Sequence, residues 1–448
     1  MPHTQTPKNL LAATHRTRAA ASLAMGAGLC LASLSARGQE GLRNSMAGDA
    51  AAAAQAQAQA QALQSYTFKT GDFRLLAVPS LEMDWNDNVD LSKSSPQEDY
   101  ILKPLLRLTG TYPLTQHNVL SLTVGIGYDE YLQHSQYSAM RVESGSTLSF
   151  DTYIKDFWIN FHDRFQFTRD PSIEPGIAGT AFYGGLNNTA GLAVTWDLRD
   201  VVLTLGYDHQ NFIASSSEFA YLTRSSELPL ARAGFRFRPD LTVGVEGTAS
   251  FTTYNQAVLN EYQSYSAGVY ADWKPGSYLH IQPRAGYVIY QFDHTSQSAQ
   301  VFYIGVPPPV GETIQTADLT SWYADLTLSH QITKALTYSL SAGHEIRGGI
   351  QSDVIEDSYV RPAIQWAILK DVSLRTSISY EHGQQGEGNV TGNLTETYDW
   401  LGANLSAEYA IMKQLTVGLN YRLTIRSANL STYEYTQNLV GLQLTYRP

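Results

Sequence analysis

From Phe73 to the C-terminus the chain alternates apolar and polar residues with a period of two, in segments of about 10 to 14 residues. In the stretch LKDVSLRTSIS, residues 369–379, and the two residues after it, Val372, Leu374, Thr376, Ile378 and Tyr380 share one parity. Ser373, Arg375, Ser377, Ser379 and Glu381 share the other. Successive side chains point to opposite sides only in an extended strand, so each segment carries one apolar and one polar face. The connections alternate in length. Short polar turns fall at Thr115 to Asn118, Lys155-Asp156, Arg199-Asp200, Pro239-Asp240, Lys274 to Ser277, Thr333-Lys334, Lys370-Asp371 and Met412 to Gln414. Between them lie longer polar connections, among them Asn86 to Asp99, His134 to Glu143, Asp170 to Asn188, Asp293 to Asp318 and Gly383 to Thr395. Eight short turns make eight hairpins; a first and a last strand complete an up-and-down meander of about 18 strands, with both termini on the short-turn side.

A soluble β-sandwich alternates too, so the placement of the aromatics decides. Tyr112, Trp196, Phe237, Trp273, Trp366 and Tyr409 stand on the apolar parity just before short turns, and Tyr128, Tyr207, Phe251, Tyr287, Tyr380 and Tyr421 recur farther up the returning strands. Val372 to Tyr380 is eight steps, about 26 Å of strand, which rises roughly 20 Å when tilted by about 40°. That matches the apolar band between the two aromatic girdles of an outer-membrane barrel. In lipid every backbone N–H and C=O needs a partner, and only a closed sheet leaves no edge. The expected fold is therefore all-β, a transmembrane antiparallel up-and-down β-barrel. Its final residues, GLQLTYRP, place Gly441, Leu444 and Tyr446 in a G-x-x-Φ-x-Φ pattern, which resembles the last-strand signal read by the barrel-assembly machinery.

The rest of the chain fits export. Residues 1–38 carry Lys8, Arg16, Arg18 and Arg37 with no acidic residue, a weakly apolar run, and an Ala36-Arg37-Gly38 site, and they read as a signal peptide. Residues 39–72 are Ala/Gln-rich and read as a periplasmic linker, leaving 73–448 as the barrel. The one cysteine, Cys30, lies in the leader, so the processed chain has no thiol for disulfides, metal or nucleophilic catalysis. Formal charge is -11, or -15 once four leader cations are removed, which disfavours nucleic acid as a partner. No cofactor is implied.

The polar parity supplies the candidate lumen lining: Arg107, Asp129, Asp151, Arg164, Asp208, Arg236, Glu246, Asp272, Arg284, Asp325, Arg347, Arg375, Glu381 and Arg422. Either these select solutes by charge or they form a hydrated wall of scattered ion pairs. The VPPPVG segment, Val306 to Gly311, is the candidate plug or external lid, with a rigid polyproline spacer as the alternative. His162-Asp163 and His344-Glu345 could be nominated for a hydrolase, but no GxSxG or HExxH accompanies them and no enzyme is expected. The acidic WNDNVD, Trp85 to Asp90, reads as an Asx-rich turn rather than a calcium loop.

WNDNV with Asp87, Asn88 and Val89, then Asp99, Ile101, Pro104 and Leu106, then Tyr128 and Tyr131, resemble the β-barrel porin type 2 group and the related exopolysaccharide- and exosortase-associated outer-membrane barrels. The resemblance is specific in the first third of the barrel. It implies a channel in the outer membrane of a Gram-negative cell, with polysaccharide passage as a possible role. The expected partners are membrane lipid, the assembly machinery and polysaccharide. The alternative expectation is a structural barrel whose long loops dock a surface polymer or partner.

Overall fold

The computed structural model describes residues 66–293, 317–350, 352–385 and 395–448. The leader, most of the linker and the VPPPVG segment lie outside the described residues. A short strand β1 (Phe68–Thr70) is followed by β2 (Phe73–Asn86), β3 (Asp99–Pro113), β4 (Asn118–Tyr131), β5 (Ala139–Ile154), β6 (Phe157–Thr168), β7 (Gly185–Asp197), β8 (Val201–Ala214), β9 (Arg224–Arg238) and β10 (Leu241–Tyr254). Then come β11 (Tyr262–Trp273), β12 (Leu279–Phe292), β13 (Leu319–Gln331), β14 (Leu336–Gly348), β15 (Val354–Leu369), β16 (Val372–Gln385), β17 (Glu396–Ala410), β18 (Leu415–Ala428) and β19 (Tyr435–Tyr446).

Each of β2 to β19 pairs antiparallel with its sequence neighbours, and β19 closes on β2 from Leu439↔Asn86 to Thr445↔Ser80. The result is an 18-stranded closed barrel, as the alternation predicts. All eight short turns fall where expected; the longer connection after β8 runs on to Thr223, while three of the others are shorter than the sequence suggests, because β5 starts at Ala139, β7 at Gly185, and β16 runs on to Gln385. Polar residues there keep extended pairing because their side chains bond across strands on the inner face, a gain invisible to a hydropathy pattern. β1 doubles back onto β2 through Phe68↔Leu75, and Ala77 N–H donates to the Thr67 hydroxyl at 2.9 Å.

All twelve girdle aromatics named above are exposed on the outer face. The upper ring also shows its orientation: the Tyr380 hydroxyl donates to Asp399 at 2.6 Å and the Tyr421 hydroxyl to Asn438 at 2.8 Å, both on the same outer face. Polar tips satisfied above an apolar body mark a membrane interface. No described helix is long and apolar enough to cross a membrane; the strands make the crossing. Ile378 lies in the band between the girdles, half exposed on the outer face. Ile378→Arg is expected to cost about 2 to 4 kcal/mol, whereas Ser377→Arg on the inner face should cost far less. Reversible unfolding from lipid vesicles measures both, and equal costs would contradict the assignment of faces.

Candidate functional site

All fourteen candidate lining residues occupy the parity opposite the exposed apolar residues. They do not form one cluster. Arg236 pairs with Asp197 at 2.7 Å at the short-turn rim, where Asp272 also meets His280 at 2.7 Å. Arg107 holds Glu143 at 2.7 Å, and Arg375 holds Glu408 at 2.5 Å, farther from the short turns. Arg232 stands 3.2 Å from Glu246 and stacks over Tyr270 at 4.2 Å; Arg284 lies directly across from Asp325. Arg164 lies beside Asp208. Arg361 holds Glu381 and stacks over Tyr359 at 4.3 Å.

A recurring device links these groups. Asp357 on β15, Gly383 on β16 and Tyr398 on β17 lie in one transverse row, and the Tyr398 ring crosses the glycine so that its hydroxyl donates to Asp357 at 2.9 Å. The same row recurs two strands earlier, where Tyr359 crosses Gly343 to donate to Asp325 at 2.8 Å. On β6 to β8, His162 reaches Asp208 across Gly191. A Cβ at Gly383 would stand 2.2 Å from Tyr398 Cζ, and one at Gly343 2.7 Å from the Tyr359 hydroxyl. The missing side chain is what lets groups two strands apart touch. These glycines are visible in the sequence only as interruptions of the pattern.

The second element absent from the sequence reading is a strap, residues 169–184, between β6 and β7. It leaves the wall and turns inward. Asp170 meets Arg422 on β18 at 3.2 Å; Glu174 meets Arg347 on β14 at 2.8 Å; and Arg426 on β18 donates to the Pro175 carbonyl at 2.8 Å. Arg347 also grips Asp357 at 2.8 Å, and Arg426 grips Glu396 at 2.7 Å. The strap's Ile177 enters an apolar cluster with Phe219, Tyr221 and Leu222 of the β8–β9 connection, Leu259, and wall residues Tyr262, Val288, Tyr290 and Tyr323. Two further bonds tie this assembly across the barrel: the Tyr221 hydroxyl to the Ile350 carbonyl at 2.9 Å, and the Asn260 N–H to Asp353 at 2.8 Å. On the other side, Gly179 N–H donates to the Leu91 carbonyl at 3.1 Å, where Leu91 packs with Ala178 and Tyr435.

Trp85 to Asp90 forms an Asx turn, with the Asn88 N–H on Asn86 Oδ1 at 3.0 Å, and Asp87 accepting from Asn438 N–H at 2.6 Å. Among the described residues no group of three or more His, Cys, Asp or Glu is placed to hold a metal. Leu444 and Tyr446 point outward on the closing strand, and a Cβ on Gly441 would meet Asp84 at 2.3 Å.

Asp170 sits on the strap, outside the strands. Burial alone would raise its carboxyl; Arg422 and Lys103 beside it, with Ser172 donating, outweigh burial and hold it at about 2. Because its folded value lies below the ordinary carboxylate value, the tether contributes fully above about pH 4 and is lost as pH falls toward 2. Protease cleavage within 169–184 should stay slow from neutral pH down to about pH 4 and rise only below that; Asp170→Asn should raise it at neutral pH. Cleavage already fast at pH 6 in the parent protein would contradict this tether.

A closed barrel with an apolar belt, two aromatic girdles and a polar inner wall crossed by an anchored strap is an outer-membrane β-barrel of porin architecture. No protein-family model matches the chain, and no curated protein does. Among solved structures it is similar to Pseudomonas aeruginosa OpdL, with 13% identity, a TM-score of 0.43, and coverage of 83% of this chain and 99% of that one. It is also similar to P. aeruginosa OccK2 (OpdF) in complex with glucuronate, with 9% identity, a TM-score of 0.45, and coverage of 83% and 98%. A BenF-like porin from Pseudomonas fluorescens Pf-5 shows 9% identity, a TM-score of 0.45, and coverage of 84% and 99%.

Proposed function

We propose that this protein is a porin-like channel of the outer membrane, passing hydrophilic solutes by diffusion, with the inward strap setting the narrowest part of the passage. The observation that carries this reading is the strap itself, pinned at Arg347, Arg422 and Arg426 inside a wall of charged and hydroxylic side chains. A barrel of about 18 strands is wide enough to leave an aqueous channel, and a loop folded inward reduces that width without closing the sheet. The candidate lining residues that keep solvent exposure, such as Arg107, Asp129, Arg375 and Arg422, then act as part of the passage wall, whereas the buried Glu246 does not, and passage of exopolysaccharide is one use such a wall would suit. Catalysis is not part of the proposal: both ring nitrogens of His162 are engaged, by Asp208 and Asn160, leaving none for a substrate hydroxyl.

One observation favours the second reading, a docking barrel. The apolar cluster around Ile177 and Tyr290 fills part of the interior with packed side chains. Planar-bilayer recording of refolded protein separates the two. Discrete, stepwise conductance is expected; its absence beside a competent control barrel would reject the channel and leave docking.

A further inference from the structure

The two sides of the interior differ. On β11 to β13 the inner tyrosines Tyr262, Tyr290 and Tyr323 are no more than 1% exposed, covered by the apolar cluster. On β18, β4 and β5, the side chains of Arg422, Asp129 and Arg141 keep 21–23% exposure, and Asp170 on the strap keeps 37%. Water therefore reaches this side of the interior at β18, β4 and β5, at the level of the Asp170 tether, while between them Lys103 keeps 14% exposure and Asp84, its partner, 2%.

That wall is built from opposite charges in alternation. Lys103 stands 2.6 Å from Asp84, Arg141 3.3 Å from Asp129, and Arg422 3.2 Å from Asp170. Lys103 also feels Asp129, Asp170 and Glu82, so the pairs form one continuous field. Gly418 and Gly441 lie on the same inner face, and the Asp84 and Glu82 carboxylates lie over Gly441 in the space its missing side chain leaves.

On the channel reading above, we propose that solute passes the strap off-axis, along this β18–β5 wall, and that its balanced pairs favour neutral, hydroxyl-rich solutes over ions of either sign. An ion entering a constriction must shed water, and only an excess of opposite fixed charge repays that cost. Here the three cations Lys103, Arg141 and Arg422 each have a counter-charge within 3.3 Å, and the fourth carboxylate of the wall, Glu82, accepts from the Asn420 amide at 3.0 Å. A polyol loses nothing comparable. Its hydroxyls both donate and accept, so the alternating carboxylates, guanidinium groups and ammonium replace the water it sheds.

The test uses the full-length refolded barrel in planar bilayers and in liposomes. Under a potassium chloride gradient the reversal potential should report a cation-to-anion permeability ratio within about twofold of one. Arg141→Gln should shift that ratio about threefold toward cations, and Asp129→Asn about threefold toward anions. Glu246→Gln, beside the covered wall, should leave it unchanged. Liposome swelling should be faster with a neutral disaccharide than with a sugar acid of equal size. Altered gel mobility on heating confirms that each variant is folded. Strong selectivity in the parent protein, a Glu246→Gln effect as large as the other two, or faster entry of the sugar acid would each overturn the off-axis, charge-balanced passage while leaving a channel. No conductance at all would remove the channel reading and this inference with it.

Discussion

Gly383→Ala is expected to destabilise the folded barrel by about 3 to 5 kcal/mol, an unusually large effect for one added methyl. The Cβ would fall 2.2 Å from Tyr398 Cζ and 2.4 Å from its hydroxyl oxygen, and all three of its nearest neighbours belong to that one ring. The ring must swing away, and its hydroxyl then leaves Asp357, a buried carboxylate shared with Arg347. Overpacking of a tight interior costs about 1 to 3 kcal/mol, and losing a hydrogen bond to a charged group costs about 1.5 to 3. Since the clash involves one removable side chain, Tyr398→Leu should make the glycine replaceable. A double-mutant cycle is therefore expected to show coupling of about 1.5 kcal/mol or more in the compensating direction. Additive costs in urea unfolding from vesicles would show that the ring does not depend on the gap.

Arg347→Leu should have an effect of similar size and a second, functional consequence. Arg347 is 4% exposed and bonds Asp357 through Nε and Glu174 through Nη2, both at 2.8 Å. Removing it leaves two carboxylates without their cation, and breaking a buried pair of this kind typically costs about 3 to 5 kcal/mol. One of those carboxylates is on the strap. The strap would keep Asp170 and the Pro175 carbonyl as anchors but lose the one that holds it to β14, so single-channel conductance should rise and become noisier. Arg347→Lys should not rescue, because a single ammonium cannot reproduce the two-sided fork. Wild-type conductance and unchanged cleavage of residues 169–184 in Arg347→Leu would show that the strap is positioned by its apolar contacts alone.

The barrel was legible because its two constraints are local. A period of two needs only neighbouring residues, and short turns such as Lys155-Asp156 and Lys370-Asp371 need only their own backbone. Trp366, Tyr380 and the other girdle aromatics could be assigned to the outer face without any knowledge of their partners, since lipid is the same everywhere around the barrel. The candidate residues were legible as a parity and no further. Arg347 and Glu381 read alike in the sequence, yet one clamps the strap and the other pairs with Arg361 on the neighbouring strand.

The functional interior was hidden for the opposite reason. Asp170 and Arg422 are 252 residues apart, and Glu174 and Arg347 are 173 apart. The sequence directed attention to the long VPPPVG connection as the plug, whereas a described segment that turns inward is the one after β6, which itself carries Pro171 and Pro175. Within Asp170 to Asn188 only scattered apolar residues such as Ile177 and Ala178 hint at an inward course, and without the period of two they give no face on which to place them.

The sequence by itself determined the sheet, its count of strands, the side that meets lipid and the side that meets water, because each follows from alternation and turn length along a few consecutive residues. Only the tertiary structure decided which connection crosses the interior and which inner side chains meet. Those contacts exist only once closure brings β6, β14 and β18 around one space, and once glycines at alternate strands let a ring reach the carboxylate beyond its neighbour.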